Sequence, residues 1–487
     1  MKKQIVLVLT VMMLLALVAI PASAAGFPDP GVGTTYTDLA NKESTEASAS
    51  IMYYNTSGGT IAGPNRTIPG NGSIQIDPDS TQLSQNFVGS AVVSSNKMLA
   101  STVATEWEGG PGDGFQMGLY SGVSAGSSAV CFPSLWKYED SIISSFAVQN
   151  TGTSAVDVDL TYTGRDGVVA LTDTDTIPAG AQHTFDLATL PNIPLSWAGS
   201  ASVTVDGEGS IAGVAVVTWG GADASRTRSA TYNSAACAGA SGSTVLVAPT
   251  QFRVRPQGAW TGAIWSAVNV QNLSGSVANV TLTYVDGDGG TANLVLNKTI
   301  QPNSTLGVNT RNGGDVPASD FDPLNVDEAW AGAVKIEVDQ PAVATVITQW
   351  DRGGVLEAGV YAAADRDAGA TKIYVPGVRR INPGSWQEFS AVRIANLGSA
   401  DADITIEFYD AAGANLLTFA NDTISVGASL GYNTRNGGDK PAGDFIVLGN
   451  DYKGHAVVTS NNGQALAVVL NGISKAGGSA TTNGVAE

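Results

Sequence analysis

The feature that most constrains this chain is self-similarity at the spacing of a whole domain. Four strand-like segments end in asparagine: Ile51–Asn55, Phe146–Asn150, Val268–Asn272 and Val392–Asn396. Their spacings of 95, 122 and 124 residues fit complete small domains, not solenoid units. After the last three, turn residues lead into an alternating segment. Val156, Val158, Leu160 and Tyr162 alternate with Asp157, Asp159 and Thr161. Val280, Leu282 and Tyr284, and then Ile404, Ile406 and Phe408, follow the same pattern. A period of two with one polar side predicts half-buried antiparallel strands.

Two further elements recur. An aromatic-x-Gly step reads Phe87–Gly89, Trp197–Gly199, Trp330–Gly332 and Tyr452–Gly454. Glycine there predicts a close backbone approach, with the aromatic ring in the core. Continuous apolar runs follow, Ile211–Trp219, Ala342–Trp350 and Ala465–Leu470, and read as central strands. The predicted fold is all-β, four tandem immunoglobulin-like β-sandwich domains behind an N-terminal signal peptide. The expected boundaries are 1–24 for the leader and 26–125, 126–240, 241–366 and 367–487 for the repeats.

The leader is read from Lys2 and Lys3, the apolar run Ile5–Ile20, and Ala22-Ser23-Ala24 after Pro21. It directs the chain out of the cell, to a secreted or cell-surface location. The mature chain is expected to contain no membrane span, and Lys475–Glu487 reads as a polar tail without an anchor. A net charge of -19 argues against nucleic acid and anionic lipid as partners. Cys131 and Cys237 are the only cysteines, and an oxidising compartment favours a bridge between them over two free thiols.

The repeat resembles one found in secreted cell-surface proteins of filamentous bacteria such as Chloroflexota. The resemblance rests on Gln149-Asn150 and Gln271-Asn272, on the Val-x-Leu-Thr-Tyr strands Val158–Tyr162 and Val280–Tyr284, and on Phe87–Ala91 and Trp197–Ala201. It implies kinship with adhesins, sheath components and surface-layer (S-layer) subunits, and transfers no catalytic residues.

Chemistry-bearing residues are sparse. His183 and His455 stand without a nucleophile motif and read as solvated strand histidines, so no enzyme is expected. Hard oxygen ligands for Ca²⁺ are offered by Asp286 and Asp288, by Asp173 and Asp175, and by Asp77 and Asp79. Aspartates of this kind are equally ordinary turn formers. The motif Asn-Thr-Arg-Asn-Gly-Gly-Asp occurs at 309–315 and again at 433–439. Arg311 with Asp315, and Arg435 with Asp439, either pair within their own loop or form a contact loop for a neighbouring subunit or a glycan. Trp136, Trp260, Trp265 and Trp386 cluster where repeats begin, as interface anchors or sugar platforms. Arg253, Arg255, Arg379 and Arg380 share that region and are expected to pair across domain junctions. The reading that follows is a non-catalytic structural protein of the cell surface, a sheath, filament or layer subunit assembled by self-association. The alternative is an adhesin that binds glycans through sandwich loops.

Overall fold

Strand alternation dominates the molecule. The computed structural model describes residues 10–14, 27–28, 31–77, 83–84, 87–109, 116–220, 227–239, 241–260, 262–287, 292–351, 356–474 and 478–487. It is 65% strand and 5% helix, an all-β sandwich architecture as the alternation predicts.

The second unit shows the plan. A lead strand (Ala129–Tyr138) is followed by a corner strand (Ile142–Asn150) and a hairpin (Val156–Gly164, Val169–Ile177). A return strand (Trp197–Asp206), a long apolar strand (Ile211–Trp219) and an axial strand (Arg228–Asn233) complete it. Hairpin, return and lead strands form one antiparallel layer, and corner, apolar and axial strands the other. The same order recurs from Ser243–Val254 to Leu356–Ala362 and from Lys372–Ile381 to Ser479–Asn483. In the third unit, return and apolar strands fuse into Ala329–Asp351. The first unit runs from the corner strand Gly31–Asn41 to the axial strand Gln116–Ser121. Its return strand Gly89–Ser95 pairs with Thr10–Leu14, a segment inside the expected leader 1–24 that here takes the lead-strand position of the first unit.

The corner asparagine has a physical reason. Asn150 Nδ2 donates to the carbonyls of Ser154 (2.7 Å) and Ile177 (2.9 Å), and its Oδ1 accepts from Gly152 N (2.8 Å). One amide thereby ties the turn after the corner strand to the end of the hairpin, satisfying backbone groups that the sheet leaves unpaired. Asn272 and Asn396 repeat the pattern. In the first unit the equivalent is Asn41, which donates to Thr45 O and Pro69 O and accepts from Glu43 N. This corrects the sequence alignment, which placed Asn55 there. Asn55 instead caps a hairpin turn, accepting from Ser57 N and Gly59 N.

The aromatic-x-Gly step packs as expected. A Cβ on Gly89, Gly199, Gly332 or Gly454 would lie 2.0, 2.2, 1.9 or 2.1 Å from a backbone carbonyl of the neighbouring hairpin strand. The preceding aromatic ring folds over the same glycine. The continuous apolar runs have a second cause beyond the core. Ile211, Ala215, Val217 and Trp219 face their own sandwich, whereas Ala212, Val214 and Val216 pack into the core of the first unit. Burial on both faces removes the polar alternation.

Each unit docks on the next. Ser90 Oγ of the first donates to Gly180 O of the second (2.5 Å), and Ser304 Oγ of the third donates to Arg165 O of the second (2.9 Å). Ser429 N of the fourth donates to Gly287 O of the third (3.0 Å), and Ser73 N of the first donates to Ala411 O of the fourth (3.2 Å). The four axial strands pack on one another in cyclic order, Gln116–Ser121 on Arg228–Asn233, then Leu356–Ala362, then Ser479–Asn483, and back to the first. The units therefore close into a ring within one chain. The units do not stack end to end as a rod, because the hairpin tips pack against the following unit and the fourth returns to the first. Nor is the C-terminus a tail: Ser479–Asn483 is an axial strand, and Val485–Ala486 pairs with the lead strand Lys372–Ile381.

The cysteines form the Cys131–Cys237 disulfide, with Cα atoms 5.8 Å apart and a sequence separation of 106. It fastens the lead strand to the segment after Ala235–Ala236, which pairs with that strand. A loop of this length corresponds to on the order of 4 kcal/mol in the chain-entropy account. Among the described residues no helix is long and apolar enough to cross a membrane.

Candidate functional site

The repeated loop is built so that one side chain points outward. Asn309 Oδ1 accepts from Arg311 N (2.8 Å), and Thr310 Oγ1 donates to Phe252 O (2.7 Å). Gly313 and Gly314 take φ values of 88° and 71°, a region that favours glycine. Asp315 closes the loop by accepting from Gly307 N (2.6 Å). Residues 433–439 repeat these contacts through Asn433, Thr434, Gly437, Gly438 and Asp439. Arg253 and Arg380 are buried beneath and donate to the carbonyls of Thr310 and Thr434.

The loop arginine does not simply turn back on its own aspartate. Asp315 pairs with Arg165 of the preceding unit (2.7 Å), and Asp439 with Arg393 (3.1 Å). The guanidinium of Arg311 lies 4.5 Å from the centre of the Trp265 ring and 5.4 Å from that of Trp260. Arg435 lies over Phe389 and Trp386 in the same way. Of the arginines expected at junctions, Arg379 does cross one, holding both carboxylate oxygens of Asp38 at 2.7 Å.

Between the second and third units this loop borders a cleft of about 500 Å³. Trp136, Trp219 and Trp265 form its aromatic walls, and Arg165, Arg228 and Arg311 line it. Arg165 stacks on Trp136 (6.0 Å) and Arg228 on Trp219 (5.9 Å). Gln349 Oε1 accepts from both Trp265 Nε1 (2.8 Å) and Arg228 Nη2 (3.2 Å), joining two walls. No carboxylate is among the described lining residues. Sequence reasoning singled out Trp136, Trp265 and Arg311, read Trp219 only as the end of a central strand, and missed Arg165, Arg228 and Asn269. Their convergence depends on ring closure, which no local pattern signals.

The other predicted positions lie apart. Asp173 and Asp175 sit on the strand Val169–Ile177, not in a loop, and Asp175 pairs with His183. Asp286 accepts from Asn293 Nδ2 (3.2 Å) at the end of its strand. Asp77 is exposed, while Asp79 and Asp288 lie outside the described residues. Among the described residues no three His, Cys, Asp or Glu side chains gather to hold a metal ion. His183 is half exposed and stacks on Phe185. His455 departs from the solvated reading: it is 0% exposed and stacks on Tyr409 at 5.3 Å. Burial pushes its pKa down to about 4, against a smaller opposing pull from Asp410.

No protein-family model and no curated protein matches the chain. Among solved structures it is similar to Thermotoga maritima 1070, at 15% identity over 23% of this chain and 95% of that one, with a TM-score of 0.20. It is also similar to the Anabaena sensory rhodopsin transducer, at 16% identity over 19% and 96%, with a TM-score of 0.16. A tetra-tandem repeat from the extending region of a large adhesion protein aligns over 98% of this chain and 99% of that one, at 13% identity and a TM-score of 0.11. None of these likenesses carries a functional argument.

Proposed function

We propose that this chain is an exported, non-catalytic binding protein of the cell surface. In this reading it is a preassembled ring that presents loops and inter-unit clefts to ligands on neighbouring surfaces. The observation that carries it is ring closure. Hairpin tips and axial strands, the elements best suited to joining separate copies, are engaged inside one chain. What remains for partners is the loop surface and the clefts between units. Glycans are the partner class that aromatic and arginine side chains at such clefts favour.

A structural subunit of a sheath or layer is the second reading, favoured by one observation. The hairpin strands Val169–Ile177, Ala292–Ile300 and Asn415–Ile424 end their sheets with an unpaired edge. Their side chains are largely exposed, so these edges are open to a strand from another copy.

Light scattering and negative-stain microscopy of the full chain, in Ca²⁺ and in chelator, separate the two readings. Discrete single-chain rings in both conditions support the binding protein. Filaments or sheets return the assignment to a structural subunit, and their loss in chelator would put Ca²⁺ between copies.

A further inference from the structure

The cleft between the second and third units carries two observations that packing leaves unexplained. Asn269 is 1% exposed and lines the cleft, yet its Nδ2 has no hydrogen-bond partner. Its Oδ1 is engaged, accepting from Arg165 Nη2 at 3.2 Å. The Nε of Arg165, also lining the cleft, is likewise buried without a partner. A buried donor left unmade costs about 1–3 kcal/mol, and natural proteins keep such groups where they have a use.

The surroundings say what would accept these hydrogen bonds. In a chain of net charge -19, three arginines border one cleft with no carboxylate among its described lining residues. Asp315 neutralises part of Arg165 through Nη1, but it lies outside the lining of this cleft. Each of the three guanidiniums rests on a tryptophan ring, which fixes its plane and directs its N–H edge. Planar, fixed forks suit a carboxylate better than a spherical ion. The lining also holds the side-chain amides of Asn309, Asn312 and Gln349, a residue type that can both donate to and accept from sugar hydroxyls. The half-buried Trp136 supplies an apolar face for a sugar ring. The volume lies in the usual range for small-ligand sites.

We infer that this cleft binds a carboxylated saccharide, a uronic-acid-bearing glycan, with Asn269 and Arg165 donating to it at the base and Arg311 at the rim. The inference rests on the binding-protein reading above and names its ligand class. A carboxylate without the sugar would leave the amides and Trp136 unused. A neutral sugar would accept from Asn269 Nδ2 and Arg165 Nε but bring no charge to the guanidinium forks that border the cleft.

The test is calorimetric titration of the full chain with short oligomers of galacturonic, glucuronic and mannuronic acid, their methyl esters, and acetate. The informative variant is Asn269→Asp. It keeps the acceptor for Arg165, removes only the unpartnered donor, and places a negative charge in the cleft. Arg311→Gln is a second variant at an exposed position. At least one oligouronate is expected to bind, with its ester and acetate at least tenfold weaker. Asn269→Asp is expected to weaken binding at least tenfold without lowering the melting temperature, and Arg311→Gln at least threefold. Equal binding of acid and ester, or binding indifferent to Asn269→Asp, overturns the inference while leaving the binding-protein reading in place. Failure of every oligouronate also overturns it, and a glycan array on the same protein then decides the broader reading separately.

Discussion

At the scale of single residues, one asparagine per unit does the work of a turn, and its value is testable. Asn272 is fully buried and ties Ser276 O, Gln301 O and Ser274 N. Replacing it with alanine leaves these groups without their partner in a place water reaches poorly. Asn272→Ala is expected to destabilise by about 2–3 kcal/mol in denaturant unfolding. Asn55→Ala, in an exposed hairpin turn, is expected to cost about 1 kcal/mol or less. The pair measures the correction made at the first unit, and a larger loss at Asn55 would restore the original alignment. The misplacement is physical in origin. A strand ending in Asn before a turn looks alike whether the amide caps its own hairpin or bridges to a distant loop. The true equivalent, Tyr36–Asn41, carries Asp38 where the second unit has Ala147, because Asp38 answers an arginine from another unit.

Among the elements, the legible parts were those whose cause is local. Alternating strands and glycine steps could be read because pleat and close approach each leave a mark on nearby residues, and the Cys131–Cys237 pair because the sequence holds no other cysteine. The apolar strand Ile211–Trp219 was legible as buried, but its second covering, the first unit, was not. The glycine steps make a sharp element-level prediction. Gly332→Ala would set a Cβ 1.9 Å from Val285 O, a backbone atom that cannot move without breaking the sheet. A loss of about 3 kcal/mol or more is expected, at the upper end of overpacking costs. Gly443→Ala meets nothing within 4 Å and is expected to stay within about 0.5 kcal/mol of the parent. Equal tolerance at both sites, measured by thermal unfolding, would mean the return strand does not sit so close to its hairpin.

For the whole molecule, closure between the fourth and first units is where pH should act. Glu106 lies beside Arg379 and Glu388 at that junction. Burial, then repulsion from Glu388 and Glu108, outweighs attraction from Arg379 and lifts its pKa from 4.5 to about 7. The folded ring thus holds a proton that the unfolded chain releases near 4.5. Its contribution is fully present below pH 4.5, drains away as pH rises to about 7, and changes no further above that. After discounting for partial exposure, the effect is on the order of 2 kcal/mol. His455 works in the opposite sense. Its pKa falls from 6.5 to about 4, so its contribution is present above 6.5 and is lost as pH falls toward 4. The two windows overlap between pH 4.5 and 6.5 and oppose each other there, so the parent's stability is expected to vary little across them. Glu106→Gln removes one arm and should leave a profile that declines steadily from pH 6.5 toward 4. His455→Phe should leave the other, declining from 4.5 toward 7. Melting temperatures of the three proteins from pH 4 to 8 decide the matter. Parallel profiles would mean that neither group is held as its burial requires. If only Glu106→Gln failed to change the slope, the junction between the fourth and first units would be open to water and the ring unclosed in solution.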